Sequence, residues 1–334
     1  MARRRAAAGA CLALLVAGTF AIAVARSTDR AVAQSTTVAP SPSRPRGASP
    51  SPSMTTTTRS ASPAGSATSA HRAPPARTDV VGIYSAGGVR QWLHCAGDGS
   101  LTVVVITGLA APATSWSRVL PSLQRITRTC VYDRPGLGLS PPRPDATSVV
   151  DAGLYSRELA ALLRAAGERG PYVVVGHSFG GLIARAFVHD NPGRVRAILL
   201  AESVTPNDPT TGPFWSEAGH RVDMAASSAA TGGGPQLGRL PLLVLSASDP
   251  EGDHLGGVTY GQPASAIALW RGEQRSDVTL STDAVQVIAH SGHVVQQDDP
   301  AAVVEAVREL VAVASHGGAL QCTPVWSSDD ARCS

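Results

Sequence analysis

A serine flanked by glycines is the residue of this chain best suited to do chemistry. Ser178 is the centre of a Gly-x-Ser-x-Gly pattern that it forms with Gly176 and Gly180. A serine hydroxyl becomes a strong nucleophile only when a nearby base takes its proton and a third group orients that base. The pattern recurs by chance, so its meaning depends on the structure that frames it and on the partners that the chain supplies.

The sequence around Ser178 predicts a strand that turns sharply into a helix. Residues 172–175 are a tyrosine and three valines, which suit a strand buried on both faces, whereas the apolar residues of 182–187 recur at helical spacing. The two flanking glycines let the strand and helix backbones pass close together. We expect the turn to present the Ser178 hydroxyl above the sheet edge and to place the Phe179 N–H at a helix start, where it can donate to an oxyanion. The alternative is a glycine-rich turn that contains a serine by chance.

Composition and charge favour a globular protein with no nucleic-acid partner. The chain has 334 residues, of which 43% are hydrophobic, enough for a sizeable core. Its net charge is only +3, and much of the arginine lies near the N-terminus instead of in a patch that could follow a phosphate backbone.

The N-terminal stretch predicts a leader followed by a linker. Residues 1–5 are basic, residues 6–25 are uncharged and rich in alanine, and small-x-small cleavage sites follow, so we expect residues 1–33 to be a secretory signal. An uncleaved anchor is the alternative, since twenty residues at ~1.5 Å each would just cross a bilayer core of ~30 Å; it would be the chain's only contact with a membrane. Residues 34–78 are dominated by Ser, Thr, Pro and Ala and should be disordered.

Apolar strands alternate with amphipathic helices through the remaining sequence. An antiparallel hairpin is predicted within residues 82–95. Buried strands are predicted at 102–106, 129–133, 195–201, 240–246 and 284–289, and helices at 116–124, 151–166 and 300–314. This alternation predicts an α/β fold whose mainly parallel sheet is covered on both faces, with ligands bound beyond the carboxyl ends of the strands.

Four motifs, taken together, make the chain resemble the α/β-hydrolases. They are the elbow around Ser178, the segment Tyr-Asp-Arg-Pro-Gly-Leu-Gly-Leu-Ser at 132–140, the strand-end glycine Gly108, and Ser-Gly-His at 291–293 shortly before Asp-Pro at 299–300. They occur in the order found in that family. The resemblance implies an α/β-hydrolase fold with a mainly parallel eight-stranded sheet, helices on both faces and a short cap.

The resemblance also divides the chain after the linker. The hydrolase domain would span residues 79–314, with its cap at about 203–239, and a C-terminal tail would follow at 315–334. Within the domain, Asp133 and Arg134 are expected to have a structural role, as the matching segment has in similar proteins.

The family's chain order of nucleophile, acid and base implies three roles. Ser178 would be the nucleophile, and His293 would be the base because it follows the last predicted strand by a short Ser-Gly loop that can turn back toward the serine. Asp249 follows the preceding strand in a Ser-Ala-Ser-Asp-Pro loop, where resembling proteins carry the acid. Asp253, four residues further on, and Glu202, at the end of another strand, are the alternatives for the acid.

Two backbone N–H groups are expected to form an oxyanion hole. They belong to Phe179, after the serine, and to Leu109, after the first buried strand. Resembling proteins often have His-Gly where this chain has Thr107 and Gly108. Because the donor is a backbone group, this departure does not remove the hole.

The cap region is short and rich in glycine, which predicts a small, mobile cover and an open pocket. Phe214, Trp215 and Met224 are its candidates for apolar pocket lining. The alternative is a solvated loop that contacts no substrate.

No cofactor or metal is expected. Cysteines and histidines do not cluster at metal-ligand spacing. The Gly-x-Gly at 136–138 is followed by prolines where a dinucleotide-binding motif would start a helix. His290 lies near a strand end, and His177 should point away from Ser178, so both are interpreted as structural.

Four cysteines follow the leader, and an even number in an exported chain indicates two disulfides. We expect Cys322 to pair with Cys333 and close a short tail loop. In the resembling family the second and fourth strands are neighbours, which implies that Cys95 pairs with Cys130. Free thiols are the alternative for each pair.

These assignments predict an exported serine hydrolase that cleaves small carboxylic esters through an acyl-enzyme intermediate. A thioesterase, an amidase or a carbon–carbon bond hydrolase with the same triad are the alternatives among enzymes. A non-catalytic binding or scaffold protein of the cell envelope is the alternative of another class.

Overall fold

The computed structural model describes residues 77–206, 212–232, 237–248, 254–255, 258–259 and 264–321. The predicted leader, most of the predicted linker, Asp249, Asp253, Cys322 and Cys333 lie outside these ranges. Within them, no helix combines the length and the apolar composition that crossing a bilayer requires.

Strands and helices alternate along the described chain. The strands are β1 (Val80–Ala86), β2 (Val89–Ala96), β3 (Thr102–Ile106), β4 (Arg128–Tyr132), β5 (Val149–Val150), β6 (Tyr172–His177), β7 (Val195–Ala201), β8 (Phe214–Glu217), β9 (His220–Asp223), β10 (Leu242–Ala247), β11 (His254–Leu255), β12 (Val258–Thr259) and β13 (Ala284–Ala289). The α-helices are α1 (Leu120–Ile126), α2 (Ala152–Ala165), α3 (Phe179–Asp190), α4 (Met224–Ala229), α5 (Ala264–Asp277), α6 (Val295–Asp298) and α7 (Pro300–His316).

The large sheet has eight strands in the order β1-β2-β4-β3-β6-β7-β10-β13. Strands β1 and β2 form an antiparallel edge, and every pair from β4 to β13 is parallel. This confirms the predicted mainly parallel eight-stranded sheet. Because parallel strands point the same way, the loops after β3, β6, β7, β10 and β13 emerge at one edge of the sheet.

The two faces of the sheet form separate hydrophobic cores. Val104 and Ile106 of β3 pack on the face covered by α2 and α3, whereas Val103 and Val105 pack on the face covered by α1 and α7. Every residue of β3 and of β6 is buried. This explains why these strands are continuous apolar runs without alternation of polar and apolar residues.

A disulfide joins the antiparallel edge to the parallel part of the sheet. Cys95 on β2 lies directly opposite Cys130 on β4, and the two are bonded, with their Cα atoms 4.0 Å apart. Both cysteines are fully buried. The pairing implied by neighbouring second and fourth strands is confirmed.

Parts of the fold differ from the sequence prediction. The helix predicted at 116–124 is a short 3-10 turn, Ala113–Trp116, followed by α1, because Pro121 lacks an N–H and fits only the first turn of a helix. Helix α5 was not predicted. In the region predicted as the cap, β8 and β9 form a hairpin that β5 extends into a small three-stranded sheet, and α4 follows, so its described part contains strands and a helix.

A charged cluster holds the first described residues. The guanidinium of Arg77 lies 3.1 Å from one carboxylate oxygen of Glu168, and that of Arg128 lies 2.7 Å from the other. The Arg77 N–H also donates to Asp98. Arg128 and Glu168 are buried, while Arg77 is exposed, so the charged contacts of the domain begin before β1.

Candidate active site

Ser178 occupies the turn between β6 and α3 in a strained backbone conformation. Its φ of 52° and ψ of −125° lie where a residue with a side chain is rarely found. A Cβ atom on Gly176 would lie 2.6 Å from the Gly180 carbonyl oxygen, and one on Gly180 would lie 2.3 Å from that of Ile106. The backbones therefore pass as closely as the two glycines predicted, and the half-buried Ser178 lies at the start of a helix.

His293 lies in the loop after β13, beside this turn. Its ring centroid is 5.0 Å from that of His177, the residue before Ser178. Its Nδ1–H donates to Oε2 of Glu202 over 3.3 Å. A neutral ring with its proton on Nδ1 has an unprotonated Nε2, which is the form that a general base needs. The side chain is 28% exposed, so solvent and substrate can reach it.

Glu202 follows β7 directly, and the described structure brings its carboxylate to His293. The oxygens also accept from the Ala247 N–H at 2.7 Å and from the Trp270 indole N–H at 2.8 Å. A buried carboxylate needs such donors, and this side chain is only 1% exposed. Glu202 was an alternative to Asp249 in the sequence. Trp270 was not predicted, because it lies on α5, 68 positions from Glu202.

His177 holds the loop that carries His293. Its Nε2–H donates to the main-chain carbonyl of His293 at 2.8 Å, and its buried Nδ1 has no hydrogen-bond partner in the described part of the chain. Burial, and next the neighbouring His293 ring, lower the pKa of His177 to about 3. The ring is therefore neutral at ordinary pH, in agreement with a structural role.

The N–H groups of Leu109 and Phe179 are available for an oxyanion. Phe179 is the first residue of α3, and the first N–H groups of a helix have no acceptor inside it. Neither N–H donates to an acceptor among the residues that the structure describes. A Cβ atom on Gly108 would lie 3.3 Å from Cβ of Ser178, which places the loop of Leu109 beside the serine.

Backbone strain is concentrated around these groups. In the described ranges, the non-glycine residues with positive φ are Ala110, Ser178, Glu202 and Ala218. Ala110 follows Leu109, Ser178 is the residue at the turn, and Glu202 is hydrogen-bonded to His293. Such conformations cost about 1–3 kcal/mol each and occur preferentially at functional sites.

Asp133 connects two loops, which agrees with its expected structural role. One carboxylate oxygen accepts from the Ala113 N–H at 2.6 Å, and the other accepts from the Leu139 N–H at 2.9 Å. The strand-end segment is thereby fixed beside the loop that follows β3.

The three cap residues expected to line a pocket have different surroundings. The Trp215 ring packs edge-on against Phe179, with centroids 6.0 Å apart. Met224 is buried in a hydrophobic core. Phe214 is exposed, and its ring centroid lies 3.8 Å from the guanidinium carbon of Arg221. Of these three, Trp215 is the one whose ring contact with Phe179, an expected oxyanion donor, is seen directly.

The described residues bring together one group of three potential metal ligands, Cys95, Cys130 and Glu168. The two sulfur atoms are bonded to each other, and Glu168 is paired with Arg77 and Arg128. These side chains are occupied structurally and do not form a metal site.

Comparisons with known proteins agree with this architecture. Residues 102–286 match the family model of the alpha/beta hydrolase fold. A stretch of 93 residues is 39% identical to an uncharacterized vacuolar membrane protein of Saccharomyces cerevisiae, covering 27% of this chain and 14% of that protein. A stretch of 134 residues is 33% identical to N-formylmaleamate deformylase of Pseudomonas putida, covering 40% of this chain and 46% of the deformylase.

Among solved structures, an esterase from Thermogutta terrifontis superposes with a TM-score of 0.53 at 20% identity, over 71% of this chain and 98% of the esterase. This likeness shows the fold, and both curated matches span less than half of the relative's length. The family model matches more than half of the present chain. The chain therefore belongs to the alpha/beta hydrolase fold family.

Proposed function

We propose that the protein is an exported serine hydrolase that cleaves carboxylic esters through an acyl-enzyme intermediate. The observation that carries the proposal is the strained Ser178 at the start of α3, beside a histidine whose Nδ1–H is bonded to a buried carboxylate. A nucleophile, an oriented base and a group that orients the base are the requirements for activating a serine hydroxyl.

In the proposed mechanism, the Ser178 oxygen attacks the ester carbonyl while Nε2 of His293 accepts the hydroxyl proton. Glu202 holds the His293 ring and stabilises its charged form. The N–H groups of Leu109 and Phe179 stabilise the oxyanion. His293 then returns the proton to the departing alcohol, and water, activated by the same ring, releases the acid and restores Ser178.

Amide hydrolysis is the second candidate because of one observation. The curated relatives include an N-formylmaleamate deformylase, whose name indicates loss of a formyl group. The same nucleophile and base could act on an amide carbonyl, with His293 protonating the departing nitrogen.

Export is supported by two features of the chain. The N-terminus has a basic segment followed by an uncharged, alanine-rich run and small-residue cleavage sites. The Cys95–Cys130 disulfide is typical of proteins from oxidising compartments. Mass determination of the protein recovered from the outside of the producing cell would test export, and a full-length chain retained inside it would refute this part of the proposal.

A fluorophosphonate probe and a panel of p-nitrophenyl esters of increasing chain length test the function. We expect the wild type to be labelled and to hydrolyse the esters, Ser178→Ala to lose both properties, and Ser117→Ala, a change at an exposed serine, to keep both. A matching anilide panel tests amide cleavage. A wild-type protein that neither reacts with the probe nor turns over any substrate would favour a non-catalytic binding or scaffold protein.

A further inference from the structure

A buried ion pair joins the cap to the sheet beside the loop of residues 107–110, which we call the oxyanion loop. Glu217 ends β8 in the cap, and Arg134 follows β4 of the large sheet. Arg134 Nε donates to Glu217 Oε1 at 2.8 Å and Nη2 donates to Oε2 at 2.7 Å, with both side chains at most 1% exposed. Two parallel bonds of this kind fix orientation as well as distance. We refer to Arg134 and Glu217 as the cap ion pair.

The other donors of Arg134 bind the loop that follows β3. Nη1 donates to the Thr107 carbonyl at 2.8 Å and to its hydroxyl at 3.2 Å, and Nη2 donates to the Gly108 carbonyl at 2.5 Å. All five N–H groups of the guanidinium are thereby used. On the other side of Leu109, the Ala110 N–H donates to Glu217 Oε2 at 2.8 Å. The cap ion pair therefore binds the loop both before and after Leu109.

Because a peptide group is planar, these contacts also constrain the direction of the Leu109 N–H, one of the expected oxyanion donors. The Gly108 carbonyl and the Leu109 N–H belong to one planar trans peptide, in which they point in opposite directions. A bond that fixes the carbonyl also fixes the direction of the N–H. The Ala110 N–H belongs to the next peptide, so its bond to Glu217 constrains that peptide as well.

Charge and packing keep this arrangement in place. Burial raises the pKa of Glu217, but the charge of Arg134 and the hydrogen bonds outweigh burial and hold the pKa below its usual value. The carboxylate therefore stays ionised beside its partner. The guanidinium carbon of Arg134 also lies 6.0 Å from the ring centroid of Phe179, which supplies the second expected oxyanion donor.

We propose that the cap ion pair positions the Leu109 N–H for oxyanion stabilisation, so that the cap completes the catalytic site and does more than cover it. Arg134 and Glu217 act as positioning residues through the peptides they bind. The proposal rests on the proposed function, because an oxyanion hole matters only to an enzyme that forms an oxyanion.

A second buried ion pair near Tyr155 offers a matched control. Arg143 and Glu158 form two parallel bonds of 2.6 Å, and both side chains are nearly buried. The guanidinium carbons of Arg134 and Arg143 each lie 5.5 Å from the Tyr155 ring centroid. In the described structure, the Arg143–Glu158 pair makes no hydrogen bond to residues 107–110. Loss of either pair removes a buried ion pair. Only loss of the Arg134–Glu217 pair also removes hydrogen bonds to residues 107–110.

The test compares Glu217→Gln with Glu158→Gln in steady-state ester hydrolysis. Because a misdirected donor weakens transition-state binding more than substrate binding, we expect kcat of Glu217→Gln to fall about 10- to 100-fold with KM changed by less than about threefold. An alkylboronic acid, which mimics the tetrahedral intermediate, should bind more weakly by a similar factor. Glu158→Gln should keep kcat within about twofold. Unchanged kcat in Glu217→Gln, or equal losses in both variants, would overturn the proposal.

A milder variant and a second readout keep the test decisive if Glu217→Gln does not fold. Thr107→Val removes the hydroxyl that accepts from Arg134 and donates to the Ala111 carbonyl, and it should lower kcat by less than about tenfold at unchanged KM; full activity in this variant would then count against the proposal. Amide hydrogen exchange at residues 107–110 should be faster in Glu217→Gln, or failing that in Thr107→Val, and unchanged in Glu158→Gln. Unchanged exchange in the loop variants would refute the positioning role even if no ester were cleaved, whereas an inactive wild type would refute only the proposed function.

Discussion

His177 and His293 lie side by side, and their surroundings give them opposite properties. Their ring centroids are 5.0 Å apart. His177 is buried, bonded to a carbonyl and low in pKa, so it stays neutral and carries no proton between groups. His293 is partly exposed, and its Nδ1 faces the carboxylate of Glu202. A carboxylate partner and exposure to solvent, and not the side-chain type, decide which histidine can transfer a proton.

The largest expected effect is a loss of activity when His293 is replaced, with a much smaller loss when His177 is replaced. His293→Gln should lower kcat for ester hydrolysis by at least about 10⁴-fold, because no base remains for the serine. His177→Gln should keep kcat within about tenfold, since the glutamine N–H can still donate to the His293 carbonyl. Steady-state kinetics on both variants, with thermal unfolding as a check of folding, makes the measurement. Similar losses in the two would mean that the comparison is wrong.

A smaller effect should follow from removing the carboxylate that distinguishes His293. Glu202→Gln should lower kcat by about 10³-fold, because the neutral amide neither stabilises the charged ring nor enforces its tautomer. The same measurement on Asp249→Asn shows which acid orients the base. If Asp249→Asn causes the larger loss, the role belongs to Asp249, and near-normal turnover in that variant leaves it with Glu202.

The smallest expected effect is on the pH dependence of the free energy of unfolding, and of the two histidines only His177 should cause it. Its folded pKa of about 3 lies below the ordinary 6.5, so the unfolded chain binds a proton that the folded chain does not, and stability is lost as pH falls from 6.5 toward 3. Between pH 7 and pH 5 this group should lower the free energy of unfolding by about 2 kcal/mol. Urea unfolding should therefore show a weaker loss on acidification in His177→Gln. Parallel losses in the variant and the wild type would contradict the assigned environment of His177.

The sequence predicted well those elements whose signal is local. The strands predicted at 102–106, 195–201 and 284–289 have those bounds in the structure, because each is a mainly apolar segment between turns. The turn at Ser178 was equally readable, since the glycines that permit it lie within two residues of the serine.

Contacts between distant segments could not be predicted in the same way. Trp270 reaches Glu202 across 68 positions, and Arg134 reaches Glu217 across 83. Glu217 ends a four-residue strand, too short for an apolar alternation to be recognised. The Cys95–Cys130 pairing was predicted despite a separation of 35 because the resemblance supplied the strand order.

The charged cluster of Arg77, Arg128 and Glu168 has a consequence for how far the chain can be trimmed. A protease that cut within the linker and stopped before residue 77 would leave both partners of Glu168 in place. Removal of three more residues would keep every strand yet take one cation from a buried carboxylate and release the contact with Asp98. The smallest fragment that keeps these charged contacts therefore begins at Arg77 and not at the first strand.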